Sequence, residues 1–327
     1  MTDFLYVGSY AGAITTVTPG LGVVATTESP GSPSFLAIHP AGHALYAIDE
    51  SDDGSVTAFR ANADGTLTKL NTEPAEGSTT AHLTVDPSGK HLLTVNYGSG
   101  SVIVHPINDD GSLGKRTDLV RHQGEGPDKS RQEGPHAHVV RFAPSGGYAL
   151  VADLGTDEVV AYALDGGRLV RQAVNNLQPG VGPRHLVFGR DNRVYLVGEL
   201  DSTIRTYRDD NGQLTELDAR PASKEQNGVR NYPSEIALSD DGQFCYVANR
   251  GYDVISAFDV STGIPRPLAD VSIGGAWPRH LATAADQLWV ANQNSDNLRR
   301  FQLDRFGIPR QTGESLQLTA PACIVRK

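Results

Sequence analysis

One plan is written into this chain six times, and a repeat of that kind constrains a fold more than composition can. A first copy begins Pro33-Ser34-Phe35-Leu36-Ala37-Ile38, turns at His39-Pro40-Ala41-Gly42 and returns through Leu45-Tyr46-Ala47-Ile48-Asp49-Glu50. The next runs Ala81-His82-Leu83-Thr84-Val85, Asp86-Pro87-Ser88-Gly89 and Leu92-Leu93-Thr94-Val95-Asn96-Tyr97. The others open at Ala137-His138, Pro183-Arg184-His185, Pro233-Ser234-Glu235 and Pro278-Arg279-His280, and their return strands end at Asp153, Glu199, Arg250 and Gln293. Short apolar and β-branched runs bounded by Pro, Gly, Asp and Ser read as strands joined by tight turns.

Each return strand leads through a polar turn to a third strand, such as Ser55-Val56-Thr57-Ala58-Phe59 or Val254-Ile255-Ser256-Ala257-Phe258. A more polar fourth segment then enters the next copy. The turn glycines Gly42, Gly89, Gly146 and Gly242 set a step of about fifty residues, which suits a four-stranded blade. The chain ends are complementary. Phe4-Leu5-Tyr6-Val7-Gly8-Ser9-Tyr10 resembles a return strand without its partner, and Pro321-Ala322-Cys323-Ile324-Val325 a first strand without its return. Paired, they make a further blade and remove the open edges of a linear array. The expectation is an all-β, seven-bladed β-propeller of four-stranded blades, one blade closed by the N- and C-terminal strands, with residues 1–327 forming a single domain. A β-sandwich or a pair of barrels would also give short strands, but neither requires a fifty-residue period.

Composition narrows the function. The formal charge of -10 repels a phosphate backbone, and no Lys/Arg-rich run overrides it, so nucleic acid is excluded as a partner. No apolar stretch is long enough to span a bilayer, and the first residues lack a basic segment followed by an apolar run, so a cytoplasmic protein is expected. Cys245 and Cys323 lie inside apolar strands and read as buried free thiols, with no disulfide framework or zinc site. Nothing points to a second domain, and a monomer or homodimer is expected.

The repeat also sorts residues by face. First-strand beginnings and return-strand ends meet on one face of the disc, where they place His82, His136, His138, Arg184, His185, Glu235, Arg279 and His280 with Tyr10, Glu50, Tyr97, Asp153, Glu199, Arg250 and Gln293. The opposite face holds turns rich in Pro, Ser, Gly and Asp. Cations, imidazoles and carboxylates from separate blades would need mutual pairing to tolerate burial, and such a cluster suits anion binding and proton transfer. The spacing between Gly89 and Gly146 exceeds that between Gly42 and Gly89 by about ten residues, and the excess falls in His122 to Pro135, a connection that would overhang this mouth with Lys129 and Arg131. Phosphate loops, Gly-x-Ser-x-Gly, Cys-x-x-Cys and His-Glu-x-x-His are absent. His136 and His138 share one side of a strand, but the neighbouring arginines disfavour a bound cation, so no metal and no cofactor is expected.

These segments resemble the lactonase family of seven-bladed propellers across nearly the whole chain. The most specific are Arg131-Gln132 with Pro135-His136-Ala137-His138, Gly182-Pro183-Arg184-His185-Leu186, Glu199-Leu200 and Asn249-Arg250-Gly251. The resemblance implies hydrolysis of a sugar-acid lactone, 6-phosphogluconolactone foremost, with a small anionic lactone as the ligand. It implies His136, Arg184, Glu199 and Arg250 as catalytic residues. A related branch, the carboxy-muconate cyclases, leaves lactonising cycloisomerisation as an alternative, and a non-catalytic binding platform is another. On the lactonase reading, Glu199 or His136 takes a proton from water, and Arg184 and Arg250 stabilise the oxyanion. Substrate contacts are then expected from His82, Tyr97, Lys129, Arg131, His138, His185, Glu235 and Arg279, with Arg279, Lys129 or Arg131 receiving the anionic group.

Overall fold

The computed structural model describes residues 4–224 and 228–327. Seven four-stranded antiparallel sheets form a ring, each ordered from an inner strand at the axis to an outer strand at the rim. The inner strands are Leu36–Ile38, Thr80–Val85, Ala137–Phe142, Pro183–Phe188, Tyr232–Leu238, Pro278–Ala284 and Pro321–Arg326. Each touches the next around the axis, and Pro321–Arg326 touches Leu36–Ile38 to complete the circle. The expected closure is present: Leu5–Ser9 pairs antiparallel with Pro321–Arg326, with Val7 opposite Ile324. Among the described residues the only helical element is the short 3-10 turn Gln293–Ser295.

Local chemistry explains the blade. Inner-to-return hairpins turn through glycines held at positive φ, 72° at Gly42 and 75° at Gly89, where a side chain would be strained. In the second blade Asp86 locks the turn by accepting the Lys90 and His91 N–H groups, both at 2.7 Å. The second strand of each blade is buried on both faces, so it reads as a nearly continuous apolar run, such as Ala149–Ala152. The outer strands alternate or lie open to solvent, as in Arg168–Asn176. Sheets therefore pack face to face, and one core cluster joins Tyr6 and Cys323 of the terminal blade to Tyr46, Phe59 and Leu92 of the next two. Cys245 and Cys323 are free and buried.

A β-bulge recurs near the start of the inner strands. Ala81, His138, Arg184, Arg279 and Ala322 each stand as an extra residue between paired neighbours, and Ser234 and Glu235 occupy the same break. Two residues of a bulged strand oppose one on its partner, which interrupts strict alternation. Consecutive residues such as Arg184 and His185 can thus both reach the axis.

Candidate active site

Below the mouth the axis is closed. Phe35 lies across it, its ring centroid 4.1 Å from His82, 5.3 Å from His280 and 5.8 Å from His185, three residues of three other blades. Glu235 joins this floor, its Oε2 lying 3.0 Å from both His185 Nδ1 and His280 Nε2, while Oε1 accepts the Ile236 N–H and lies 3.5 Å from Arg141 Nη2. Burial raises the Glu235 carboxyl, but His185 and His280 outweigh it and leave it well below the ordinary carboxylate range. Burial drives three of the imidazoles down: His185 falls to about 4, and His82 and His138 also fall well below their usual value, whereas at His280 burial is outweighed by Cys323 and Glu235, which raise it to about 10. Neither ring nitrogen of His82 has a hydrogen-bond partner among the described residues. Three neutral imidazoles, the His280 imidazolium and one anionic carboxylate thus line the floor. Among the described residues no group of three metal-ligating side chains is suitably placed to hold an ion.

Above this floor, Glu199 directly follows the return strand Arg193–Gly198 and receives three guanidinium groups. Arg184 Nη1 and Arg250 Nη2 reach its Oε2 at 2.5 and 2.7 Å, and Arg131 Nη2 reaches Oε1 at 2.7 Å. Burial would raise its carboxyl, but Arg250 and Arg184, then His138 and Arg131, hold it well below the usual range. Arg184 Nε donates to the Ser234 carbonyl at 3.0 Å and Arg250 Nε to the Tyr232 carbonyl at 3.1 Å, so both planes are fixed by backbone. Arg184 Nη2 and Arg250 Nη1 are left without a protein partner among the described residues. The Trp277 ring flanks Arg250 at 5.4 Å. Trp277 holds φ 62°, unusual for a bulky residue, and its N–H donates to Asp253 Oδ1 at 2.8 Å.

His136 stands beside this cluster, one ring away. It stacks on Tyr97 at 4.3 Å, and the Tyr97 hydroxyl lies 3.4 Å from Arg131 Nη2. The His136 backbone N–H donates to Asp153 Oδ1 at 2.7 Å, which fixes the entry into the inner strand. Its Nδ1 lies 2.9 Å from the Tyr97 carbonyl, an acceptor only, so Nδ1 carries a hydrogen. Nε2 is therefore the ring nitrogen with the free lone pair, and it lies 3.2 Å from the exposed Glu133 carboxylate.

The opposite side of the mouth holds a second, looser pair. Arg279 Nη2 lies 3.3 and 3.4 Å from the two oxygens of Glu50, and Tyr10 of the terminal blade donates its O–H to Glu50 Oε2 at 2.7 Å. Four guanidinium groups thus face two carboxylates, an excess of two positive charges inside a chain of net charge -10.

The structure gathers His136, Arg184, Glu199, Arg250, Arg131, Tyr97 and Arg279 at the mouth, and sets His82, His185 and Glu235 in the floor, with His138 beside Tyr97 and His185. Lys129 is not drawn in. It is exposed and pairs with Glu125 at 2.7 Å, because a compact turn, in which Asp128 accepts the Arg131 and Gln132 N–H groups, sends Arg131 inward and leaves Lys129 at the tip. Sequence reasoning did not assign roles to Glu50, Tyr10 and Trp277. The repeat held a signal for the first, since Glu50 and Glu199 both follow the return strand of their blades.

The family described as "Lactonase, 7-bladed beta-propeller" matches residues 4–326. The 6-phosphogluconolactonase of Bacillus subtilis is 34% identical over 284 residues, covering 84% of this chain and 81% of the relative. A putative 6-phosphogluconolactonase of Bacteroides fragilis superposes with a TM-score of 0.92 at 28% identity, over 100% of this chain and 98% of its own. The periplasmic gluconolactonase of Pseudomonas aeruginosa superposes with a TM-score of 0.92 at 27% identity, over 99% and 98% of the two chains. No helix among the described residues is long and apolar enough to cross a membrane. This chain belongs to the lactonase family of seven-bladed β-propellers.

Proposed function

We propose that the chain is a carboxylic ester hydrolase that opens a sugar-acid lactone, 6-phosphogluconolactone to 6-phosphogluconate foremost. The observation that carries this reading is the convergence of three guanidinium groups, two of them buried, on the single carboxylate of Glu199, with a tautomerically fixed imidazole one ring away. The names of the relatives support the same reaction. A lactone carbonyl seated over Arg184 Nη2 and Arg250 Nη1 meets two oriented, charged donors. Water attacks that carbonyl while His136 Nε2 takes its proton, and the electron pair moves to the oxyanion beside the arginines. Collapse re-forms the carbonyl and breaks the bond to the ring oxygen, which takes the proton back from His136. The product is an open hydroxy acid, and no proton or electron is left over.

Of the two bases that the sequence leaves open, the geometry favours His136. Glu199, held anionic by three arginines, has little affinity for a proton, and its place is to align those arginines. The Tyr97 carbonyl holds the ring at Nδ1, the part a carboxylate plays in a catalytic triad, and the exposed Glu133 carboxylate turns away from Nε2 to admit the water. A cytoplasmic enzyme, monomeric or dimeric, is the accompanying expectation, open to fractionation and sedimentation. The deciding experiment is a pH-stat assay across sugar-acid lactones with and without a 6-phosphate, run beside a diene-absorbance assay with a muconate diacid. Acid release from the lactones supports hydrolysis. Loss of diene absorbance with no lactone turnover would replace it with cycloisomerisation, and silence in both would leave a binding platform.

A further inference from the structure

The mouth contains two carboxylates at equivalent points of the repeat, and they are held very differently. Glu199 is gripped by three guanidinium groups at 2.5 to 2.7 Å. Glu50 faces one, Arg279, through a single nitrogen at 3.3 and 3.4 Å, a distance at which a charged hydrogen bond is weak. Glu50 is not free to turn away, because the Tyr10 hydroxyl holds its Oε2 at 2.7 Å. Arg279 in turn rests over the Tyr10 ring at 5.3 Å, and the Arg279 and Glu50 side chains keep 19% and 16% of their surface open to the mouth. This is a poised cation: positioned by an aromatic ring, loosely balanced by a carboxylate, and reachable by solute.

We infer that Glu50 is the specificity-determining residue of this site, standing in for the substrate's anionic tail and yielding Arg279 to it on binding. The inference rests on the lactonase reading and refines it. An anionic tail on the lactone must compete with Glu50 for Arg279 and bear the repulsion of the Glu50 carboxylate, whereas a hydroxyl tail bears neither. Glu50 thus lowers the enzyme's preference for a phosphorylated over an unphosphorylated lactone, and the loose pairing keeps that penalty small.

Glu50→Gln tests this. The amide keeps the shape, the acceptor for Arg279 and the partner for Tyr10, and removes only the charge. The ratio of kcat/KM for 6-phosphogluconolactone to that for gluconolactone should rise by on the order of tenfold, carried by KM. Glu50→Asp, which keeps the charge but withdraws it from Arg279, should raise the ratio less, and it serves if the Gln variant does not fold. An unchanged or lowered ratio in folded protein would overturn the inference. Inorganic phosphate, titrated calorimetrically into both forms, supplies a readout independent of turnover: Glu50→Gln should bind it more tightly, and equal binding counts against Glu50. Wild-type protein that hydrolyses neither lactone would remove the lactonase reading, and the phosphate titration would still decide the role of Glu50.

Discussion

Replacing Glu199 by Gln removes the one negative charge on which Arg131, Arg184 and Arg250 converge. Arg131 keeps 32% of its side-chain surface exposed and can turn toward water, but Arg184 and Arg250 are 6% exposed and their Nε groups are tied to backbone carbonyls. Those two guanidinium groups therefore remain buried with no counter-charge. Removing one partner of a buried ion pair costs about 3–5 kcal/mol. With 327 residues and an unfolding entropy of about 2.1 cal/mol/K per residue, that loss lowers Tm by about 4–7 °C. Differential scanning calorimetry at pH 7 measures it, with the isosteric amide excluding a packing effect. A Tm within about 1 °C of wild type would mean that water or relaxation already solvates these arginines, and the argument from their desolvation would fall.

Two further predictions concern turnover and acid stability. Arg184→Ala should lower kcat by about a hundred- to a thousandfold, the loss of one oxyanion donor, with the circular dichroism spectrum intact; unchanged turnover in steady-state assays would remove Arg184 from the oxyanion site. His185, lowered from 6.5 to about 4, favours protonation of the unfolded chain, so its stability contribution is full above pH 6.5 and fades as pH falls toward 4, by about 3 kcal/mol. His82 and His138 act in the same direction, His280, raised to about 10, opposes them above pH 6.5 and is level below it, and Glu199 and Glu235 continue the loss at lower pH. Urea midpoints measured at pH 7.5, 6 and 5 should fall most steeply between pH 6 and 5, where the His280 contribution is level, and a flat profile over that interval would contradict neutral His82, His138 and His185 in the floor.

Most of the architecture was legible because a repeat needs no fine detail: the fifty-residue period, the turn glycines and the complementary ends sufficed for seven blades and their closure. The face of the site followed from strand direction alone. What periodicity could not show was the bulge. Strict alternation puts Arg184 and His185 on opposite faces, whereas both turn to the axis, Arg184 to Glu199 and His185 to Glu235. Nor could it separate Lys129 from Arg131, two cations on one loop that a single turn sends in different directions. The choice between Glu199 and His136 as base depends on how many cations surround each, a property of blades far apart in sequence. The repeat put Glu50 beside Glu199 on this face, but its loose hold on Arg279 depends on blades far apart in sequence.

The most direct test of the mechanism is the pH dependence of kcat/KM for a sugar-acid lactone, measured for wild type, Glu199→Gln and His136→Asn. Rates should be corrected for spontaneous hydrolysis. If His136 Nε2 is the base, the acidic limb of the profile persists in Glu199→Gln at reduced amplitude and vanishes in His136→Asn. A limb that survives in His136→Asn and disappears in Glu199→Gln would contradict the account and make Glu199 the base.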